Sequence, residues 1–192
     1  MRRFILASAS PRRKEILANA GFEFDIIVSD VDENITEDLS PGETVEELAK
    51  RKALAVWEEN KDAVVFGCDT VVAVDGKILG KPRDDDEAFD MIKMLSGKAH
   101  TVSTGVCICA SDKISVFSNT TNVEFYPLSD ETIRSYVATG ESRDKAGAYG
   151  IQGYGSVLIK EIKGDYFSVM GLPMSESSRV LADFGIYGKV RV

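Results

Sequence analysis

The stretch Ala63-Val-Val-Phe-Gly-Cys-Asp-Thr-Val-Val-Ala-Val74 decides how this chain of 192 residues folds. It predicts two β-rich segments, 63–68 and 70–74, that meet at Asp69. Neither segment alternates polar with apolar residues, and such continuous apolar runs are typical of strands covered on both faces. Asp75-Gly76 then predicts a tight hairpin turn into the next strand.

Helical and β-type segments alternate on both sides of this stretch. Before it we predict a strand at 4–7, a helix from Ser10-Pro11 to 20, a strand at 24–28, an exposed acidic loop at 29–43 and a helix that Thr44 and Glu47 begin as a capping box. After it we predict a helix at 84–95, a hairpin of β-type runs at 101–110 and 113–126, a helix from Ser129, a strand at 157–162 and a helix from Pro173 to Gly185. Because several connections are hairpins rather than crossovers, the pattern predicts one α/β domain, 1–192, with a mixed sheet.

The composition is that of an ordinary folded protein. Hydrophobic residues make up 44% of the chain and charged residues 28%, which argues against a disordered protein. The net charge of -8 disfavours binding to nucleic acid, because a duplex is held through its phosphates by a positive surface. The three cysteines lack the spacing of a zinc site, and the apolar run at 4–7 is too short for a signal peptide. We therefore expect a cytoplasmic protein with reduced thiols that binds neither nucleic acid nor a membrane.

The start of the first predicted helix carries an unexpected positive charge. Ser10-Pro11 is a good helix start, yet Arg12, Arg13 and Lys14 fill the first turn, where the helix dipole favours acidic side chains. Free backbone N–H groups and two guanidinium groups at one helix start are suited to bind an anion. The alternative is a basic helix start that is simply solvated.

Two further charges fall where the pattern predicts a buried side chain. Lys52 lies within the apolar stripe of the helix from Thr44, and Asp69 interrupts the apolar stretch 63–74. A buried charge needs an opposite charge, a metal ion or several hydrogen-bond donors. The alternatives are that Lys52 extends past the stripe into water, and that Asp69 binds backbone N–H groups in a bend between two strands.

The segment Gly147-Ala-Tyr-Gly-Ile-Gln-Gly-Tyr-Gly155 places a glutamine among glycines. Glycine lets a backbone approach a ligand closely, and Gln152 is able to hydrogen-bond the edge of a nucleobase. The glycine spacing is not that of a dinucleotide-binding fold, and a glycine-rich turn is the alternative. Lys81 and Glu33 complete the set of candidate residues. The cations of this set, which are Arg12, Arg13, Lys52 and Lys81, suit a polyphosphate. Its carboxylates, Glu33 and Asp69, suit a hard divalent cation such as Mg²⁺.

At these same residues the sequence resembles the Maf family of nucleotide pyrophosphatases, also called septum-formation inhibitor proteins. The resemblance runs through nearly the whole chain, and the order and spacing of the motifs are specific. The motifs are Leu6-Ala-Ser-Ala-Ser-Pro-Arg-Arg13, Asp32-Glu33, Ala49-Lys-Arg-Lys-Ala53, Gly67-Cys-Asp-Thr70, Leu79-Gly-Lys-Pro82, Leu95-Ser-Gly97, Asp144-Lys-Ala-Gly-Ala-Tyr-Gly-Ile-Gln-Gly153 and Gly164-Asp-Tyr-Phe-Ser-Val-Met-Gly-Leu-Pro173. Cys68 is a small departure, since alanine is usual at that position.

The resemblance implies both a fold and a reaction. The fold is a twisted mixed sheet with flanking helices, in two lobes around a central cleft, similar to that of the Ham1 and ITPase enzymes. The reaction is hydrolysis of a nucleoside triphosphate between its α and β phosphates with a divalent metal ion, Mg²⁺ first and Mn²⁺ or Co²⁺ as alternatives. A homodimer is left open, and the family's older name implies an additional role in arresting cell division.

The resemblance also implies a role for each candidate residue. Asp69 is the proton acceptor that activates water and, with Glu33, a metal ligand. Arg12, Thr70 and Gln152 match the branch of the family that acts on dTTP and UTP rather than on 7-methyl-GTP. The residues implied in phosphate binding are Ser8, Arg12, Arg13, Lys52 and Lys81. The rival functions are a 7-methyl-GTP pyrophosphatase, a phosphatase that removes terminal phosphates one at a time, and a septum-formation regulator that binds a partner protein.

Overall fold

The computed structural model describes residues 2–192, which divide into two compact units. The first unit comprises the chain up to Asp69 together with Thr104–Asn119 and Gly171–Val192. The second unit comprises Thr70–Ser103 and Thr120–Met170. Each unit is therefore assembled from segments that are distant in the sequence. The chain passes between the units three times within a strand and once at the end of a helix, at residues 170–171.

Strands and helices alternate along the chain much as the sequence predicts. The strands are β1 (Arg3–Ala7), β2 (Asp25–Ile26), β3 (Ala63–Val74), β4 (Lys77–Leu79), β5 (Ala99–Cys109), β6 (Ile114–Phe125) and β7 (Ile159–Lys163). The α-helices are α1 (Pro11–Asn19), α2 (Pro41–Glu58), α3 (Asp85–Leu95), α4 (Asp130–Val137), α5 (Tyr166–Met170) and α6 (Met174–Ala182). Two 3-10 helices, Ala146–Ala148 and Gly153–Leu158, lie between α4 and β7.

The strands form one mixed sheet. Its order is β2-β1-β3-β5-β6-β7, and β4 pairs with β3 outside this path. β1 runs parallel to β2 and to β3, with Ala7 opposite Gly67, whereas β4 and β7 run antiparallel to β3 and β6. The α/β fold with a mixed sheet and flanking helices that the sequence predicts is confirmed.

The central strand, β3, is continuous rather than two segments that meet in a bend. Every residue of β3 except Thr70 and Ala73 is buried, as expected for a strand that is covered on both faces. Asp75 and Gly76, with φ of 49° and 76°, form the predicted hairpin turn into β4. The bend considered for Asp69 is wrong, because its carboxylate receives a counter-charge from α2 and the strand continues through it.

The start of α2 lies one turn upstream of the predicted start. The N-cap is Ser40, whose hydroxyl accepts a hydrogen bond from the Glu43 amide at 3.3 Å, and the Glu43 carboxylate accepts one from the Ser40 amide at 2.9 Å. The capping box of Thr44 and Glu47 is wrong, because Ser40-Pro41 already supplies a cap and a first-turn proline. The predicted apolar stripe is confirmed, and its buried members are Val45, Leu48, Ala49, Ala53 and Val56.

Two glycines let α2 lie directly on strands of the first unit. A Cβ atom on Gly67 of β3 would lie 2.3 Å from the Ala49 carbonyl oxygen. A Cβ atom on Gly105 of β5 would lie 2.2 Å from the Val45 carbonyl oxygen. Both distances are far below van der Waals contact, so helix and strand backbones touch with no side chain between them. This packing fixes α2, and with it Lys52, against β3.

In the second unit, α3 and α4 contribute to one apolar cluster, and His100 packs against two members of that cluster, Phe125 and Tyr149. The Nε2 atom of His100 lies 2.7 Å from the Tyr149 hydroxyl, and the His100 ring makes an edge contact with Phe125. His100 is only 3% exposed, and burial lowers its pKa to about 4. The single histidine is therefore a neutral, buried residue of β5.

The other differences from the predicted segments are small. β2 spans only Asp25–Ile26, and β7 begins at Ile159 because the 3-10 helix Gly153–Leu158 takes the residues before it. The short helix α5 has no counterpart among the predicted segments. The three cysteines are free thiols, in agreement with the prediction, and all three are buried. Within residues 2–192, none of the helices has the length and apolar character needed to cross a membrane.

Candidate active site

The first part of the candidate site lies where β1 leads into α1. Ser8 is buried, and its hydroxyl accepts hydrogen bonds from the Ser10 amide at 3.2 Å and from the Arg13 guanidinium at 3.1 Å. Ser10 caps α1 as predicted, by accepting a hydrogen bond from the Arg13 amide at 3.4 Å. Arg13 is thus held at both its backbone and its side chain, at the positive end of the α1 dipole.

The first turn of α1 concentrates positive charge. It contains no acidic residue, and Arg12 lies within it as a partly exposed side chain next to Arg13. The Nε atom of Arg13 donates a hydrogen bond to the Gly171 carbonyl at 2.8 Å, which aligns one edge of the guanidinium group. The Arg13 guanidinium and the positive end of the helix dipole therefore lie at one place, with Arg12 as the preceding residue of the same turn, which suits an anion with several oxygens.

The second part of the site is formed by Lys52 of α2 with two acids. The Lys52 Nζ atom lies 2.5 Å from Asp69 Oδ1 and 2.8 Å from Glu33 Oε1. The side chains of Lys52 and Asp69 are 11% and 12% exposed, whereas that of Glu33 is 56% exposed. Lys52 therefore does not extend past the apolar stripe into water, because the two carboxylates supply its partners where it stands.

The charge state of Lys52 follows from these contacts. Burial disfavours the ammonium form, but the charges and hydrogen bonds of Asp69 and Glu33 outweigh burial, so the pKa of Lys52 is raised above its ordinary value. The group therefore stays positively charged at neutral pH. One ammonium thus lies between a buried carboxylate and a more exposed one.

Cys68 connects the two parts of the site. Its thiol donates a hydrogen bond at 3.1 Å to the Gly171 carbonyl, the same oxygen that Arg13 contacts, and Asp69 is the next residue along β3. Burial raises the pKa of Cys68 to about 11, so the thiol stays protonated and is no nucleophile. We refer to Ser8, Arg12, Arg13, Glu33, Lys52 and Asp69 as the charged cluster.

Three of the predicted site residues belong to the second unit. Thr70 follows Asp69 in β3 and is partly exposed. Lys81 is exposed just after β4, next to Gly80, whose carbonyl accepts a hydrogen bond from the Gly147 amide at 3.0 Å. Gln152 is partly exposed at the start of the 3-10 helix Gly153–Leu158. Among residues 2–192, no direct hydrogen bond joins the side chains of Lys81 and Gln152 to each other.

The sequence did not identify two residues whose hydrogen bonds fix parts of the site. Gly171 acts through its backbone carbonyl, which no residue type reveals. Glu141 holds the glycine-rich segment through hydrogen bonds to the Tyr154 and Gly155 amides, and in the sequence it resembles any acid of a polar loop. The cluster of glycines after Glu141 was the only available signal, since a backbone that wraps around a carboxylate needs glycine.

The two carboxylates of the charged cluster are suited to a hard divalent cation. Glu33 and Asp69 each place one carboxylate oxygen within hydrogen-bond distance of the same atom, Lys52 Nζ. No group of three or more His, Cys, Asp or Glu residues within 2–192 is arranged as a metal site. Mg²⁺ is commonly held by one or two carboxylates with waters and substrate phosphates, so this pair fits a metal ion that arrives with a phosphate.

Comparison with known proteins finds one family and several relatives that match nearly the whole chain. Residues 3–184 match the protein family described as Maf-like protein. A protein of Bacillus cereus (strain AH820) named dTTP/UTP pyrophosphatase is 52% identical over 186 residues, which cover 97% of both chains. Proteins with the same name from Bacillus velezensis and Bacillus pumilus are 50% identical over 185 and 186 residues. These alignments cover 96% and 97% of the present chain and 98% of each relative.

Proposed function

The chain belongs to the Maf family, and we propose on that premise that it hydrolyses dTTP and UTP to the monophosphate and pyrophosphate. The observation that carries the proposal is the pairing of the partly buried Lys52 with Asp69 and Glu33. Asp69 follows Cys68, whose thiol shares the Gly171 carbonyl with Arg13. A phosphate tail needs cations, and the water that attacks it needs a base. The charged cluster contains both.

The triphosphate is bound by the first turn of α1 and by lysines. Arg12 and Arg13 offer several N–H donors to phosphate oxygens, and the positive end of the α1 dipole favours the same anion. Ser8 supplies a hydroxyl beside Arg13, and Lys52 and Lys81 supply point charges. Charge that develops on the phosphate oxygens as the anhydride bond breaks is stabilised by these fixed cations, which is the main protein contribution in phosphoryl transfer.

Asp69 accepts the proton of the attacking water. As the new phosphorus–oxygen bond forms and the bond between the α phosphate and the bridging oxygen of the β phosphate breaks, the water proton passes to the carboxylate and pyrophosphate leaves. Burial and the contact with Lys52 hold the carboxylate in one orientation, which is what a general base requires.

Glu33 and Asp69 are the residues that would hold a divalent metal ion, Mg²⁺ first and Mn²⁺ or Co²⁺ as alternatives. Such an ion supplies charge neutralisation at the phosphate oxygens. Lys52 contacts both carboxylates, so it shares them with any ion that binds there. The exposed Glu33 keeps one side of the pair open to solvent and to a phosphate.

Base selection is assigned to Arg12, Thr70 and Gln152. The carboxamide of Gln152 carries both a donor and an acceptor, and uracil and thymine present a ring N–H beside carbonyl oxygens. Cytosine presents an amino group instead of one of these carbonyls, so an amide held in one orientation distinguishes the two pyrimidines.

A panel of triphosphates tests the function. We expect monophosphate and pyrophosphate from dTTP and UTP with Mg²⁺, at a kcat/KM well above that for CTP, GTP and 7-methyl-GTP, measured by separating the products chromatographically. Stepwise release of orthophosphate would identify a phosphatase and overturn the proposal. A preference for 7-methyl-GTP would keep the reaction and overturn the substrate.

A further inference from the structure

A single carboxylate holds the glycine-rich segment that carries Gln152. The Tyr154 amide donates a hydrogen bond to Glu141 Oε2 at 2.9 Å, and the Gly155 amide donates one to Glu141 Oε1 at 3.0 Å. The Tyr136 hydroxyl donates a third, to Oε1, at 3.1 Å. All of these residues belong to the second unit, and two of the donors are backbone groups just after Gln152.

The glycines of this segment are explained by the same carboxylate. A Cβ atom on Gly153, whose φ is +62°, would lie 2.3 Å from Glu141 Oε2. A Cβ atom on Gly155 would lie 3.2 Å from Glu141 Oε1 and 2.1 Å from the Gly150 carbonyl oxygen. The backbone therefore folds around Glu141 at a distance that only glycine permits.

The other side of Gln152 is tied to the same pair of residues. The Gly150 amide donates a hydrogen bond to the Tyr136 hydroxyl oxygen at 3.2 Å, and that hydroxyl in turn contacts Glu141. Lys145 donates a hydrogen bond at 2.5 Å to the Glu141 carbonyl, which fixes the backbone of Glu141 itself. The chain is thus anchored before Gln152 at Gly150 and after it at Tyr154 and Gly155.

We infer that Glu141 is a positioning residue for base selection, which it serves by fixing the backbone on both sides of Gln152. The inference rests on the proposed function, in which Gln152 hydrogen-bonds the base. Glu141 itself touches no substrate. An amide distinguishes uracil from cytosine only if its donor and acceptor stay in place, and three charge-assisted hydrogen bonds to one carboxylate provide that rigidity.

The variant that tests this is Glu141→Gln, with Glu124→Gln as its matched control. Glutamine keeps the shape of the side chain but turns one acceptor oxygen into a donor, so one of the backbone amides loses its acceptor. Glu124 belongs to the same unit but pairs with Lys160, away from the glycine-rich segment. We expect KM for UTP to rise about tenfold, and kcat to change less than about twofold, in Glu141→Gln alone.

Two further readouts separate positioning from a merely structural role. The preference for UTP over CTP should fall about tenfold in Glu141→Gln. Hydrogen exchange of the Tyr154 or Gly155 amide should be faster by a similar factor, because these amides lose their acceptor. Wild-type preference in Glu141→Gln, even with a lower melting temperature, would overturn the inference.

Gln152→Ala, measured beside these variants, distinguishes failure of the inference from failure of the proposed function. If Gln152→Ala loses base preference and Glu141→Gln keeps it, the inference is wrong and the proposed function stands. If Gln152→Ala keeps base preference, Gln152 does not select the base, and the inference about Glu141 is wrong as well. If Glu141→Gln does not fold, Tyr136→Phe is the variant to measure, because it removes the hydroxyl that links Gly150 to Glu141. An unchanged preference for UTP over CTP in Tyr136→Phe would then overturn the inference.

Discussion

At the scale of single residues, Lys52 shows how one side chain sets the charge balance of a site. Its Nζ atom contacts Asp69 and Glu33, so one ammonium is shared by two acids in the free protein. A metal ion that uses both carboxylates competes with that ammonium, whereas an anionic triphosphate attracts the ammonium towards itself. We therefore expect metal and nucleotide to bind better together than the metal alone.

Replacing Lys52 tests this balance. Lys52→Met should lower kcat/KM for UTP by about 10²–10³-fold, because a fixed cation beside the phosphates is lost. The same variant should bind Mn²⁺ more tightly than the wild type in the absence of nucleotide, as measured by titration calorimetry. Lys50→Met removes the same charge from an exposed position of α2 and should change neither quantity. Equal Mn²⁺ affinities in Lys52→Met and the wild type would contradict the shared use of the carboxylates.

The residues that sequence alone identifies are those that break a local rule. Lys52 interrupts an apolar stripe and Asp69 interrupts an apolar strand. Asp69 is buried, Lys52 is partly buried, and the two are paired. Gly171 and Glu141 break no such rule. Their importance depends on partners that are distant in the sequence, so only a folded chain reveals it.

At the scale of elements, the sequence predicts well those helices and turns whose ends are marked by a capping residue or a turn motif. α3 begins after Asp84 and α4 after Ser129, each with a side-chain cap, and the Asp75-Gly76 turn needs nothing beyond its own two residues. The 3-10 helix Gly153–Leu158 and the five-residue helix α5 were not predicted. Neither is long enough for a periodic signal, and both depend on tertiary contacts.

The contact between α2 and β3 makes a prediction at this scale. Gly67→Ala should destabilise the protein by about 1–3 kcal/mol, because the new methyl group meets the Ala49 carbonyl and the Ala53 amide. It should also lower turnover, since displacing α2 moves Lys52 away from Asp69. Urea unfolding measures the first effect. Gly80→Ala, where an added Cβ meets nothing within 4 Å, is the control for stability. A Gly67→Ala protein as stable as the wild type would contradict the close packing.

At the scale of the whole molecule, the order of strands brings the charged residues to one place. β1 ends opposite Gly67 of the parallel strand β3, so Ser8 and the start of α1 follow at the point where β3 continues to Cys68 and Asp69. α2, held by Gly67 and Gly105, adds Lys52. The residue types could be chosen from the sequence, but their convergence depends on strand pairing and helix packing between distant segments.

Acid should weaken the whole fold through His100. Its pKa in the folded protein is about 4, below the ordinary 6.5, so the unfolded chain binds a proton between these values and the folded protein does not. The contribution of neutral His100 to the free energy of unfolding is fully present above pH 6.5. It is lost as the pH falls towards 4, and the loss amounts to about 3 kcal/mol in total. Urea unfolding at several pH values measures this loss. His100→Gln should be less stable than the wild type at pH 7 but lose less stability on acidification. An equal acid loss in both proteins would refute this assignment.

The most direct test of the proposed reaction follows UTP and Mg²⁺ by ³¹P NMR with the wild type and with Asp69→Asn. We expect UMP and pyrophosphate in equal amounts from the wild type, and a rate lower by about 10²–10⁴-fold from a folded Asp69→Asn protein. UDP and orthophosphate as the first products, or wild-type turnover by Asp69→Asn, would contradict it.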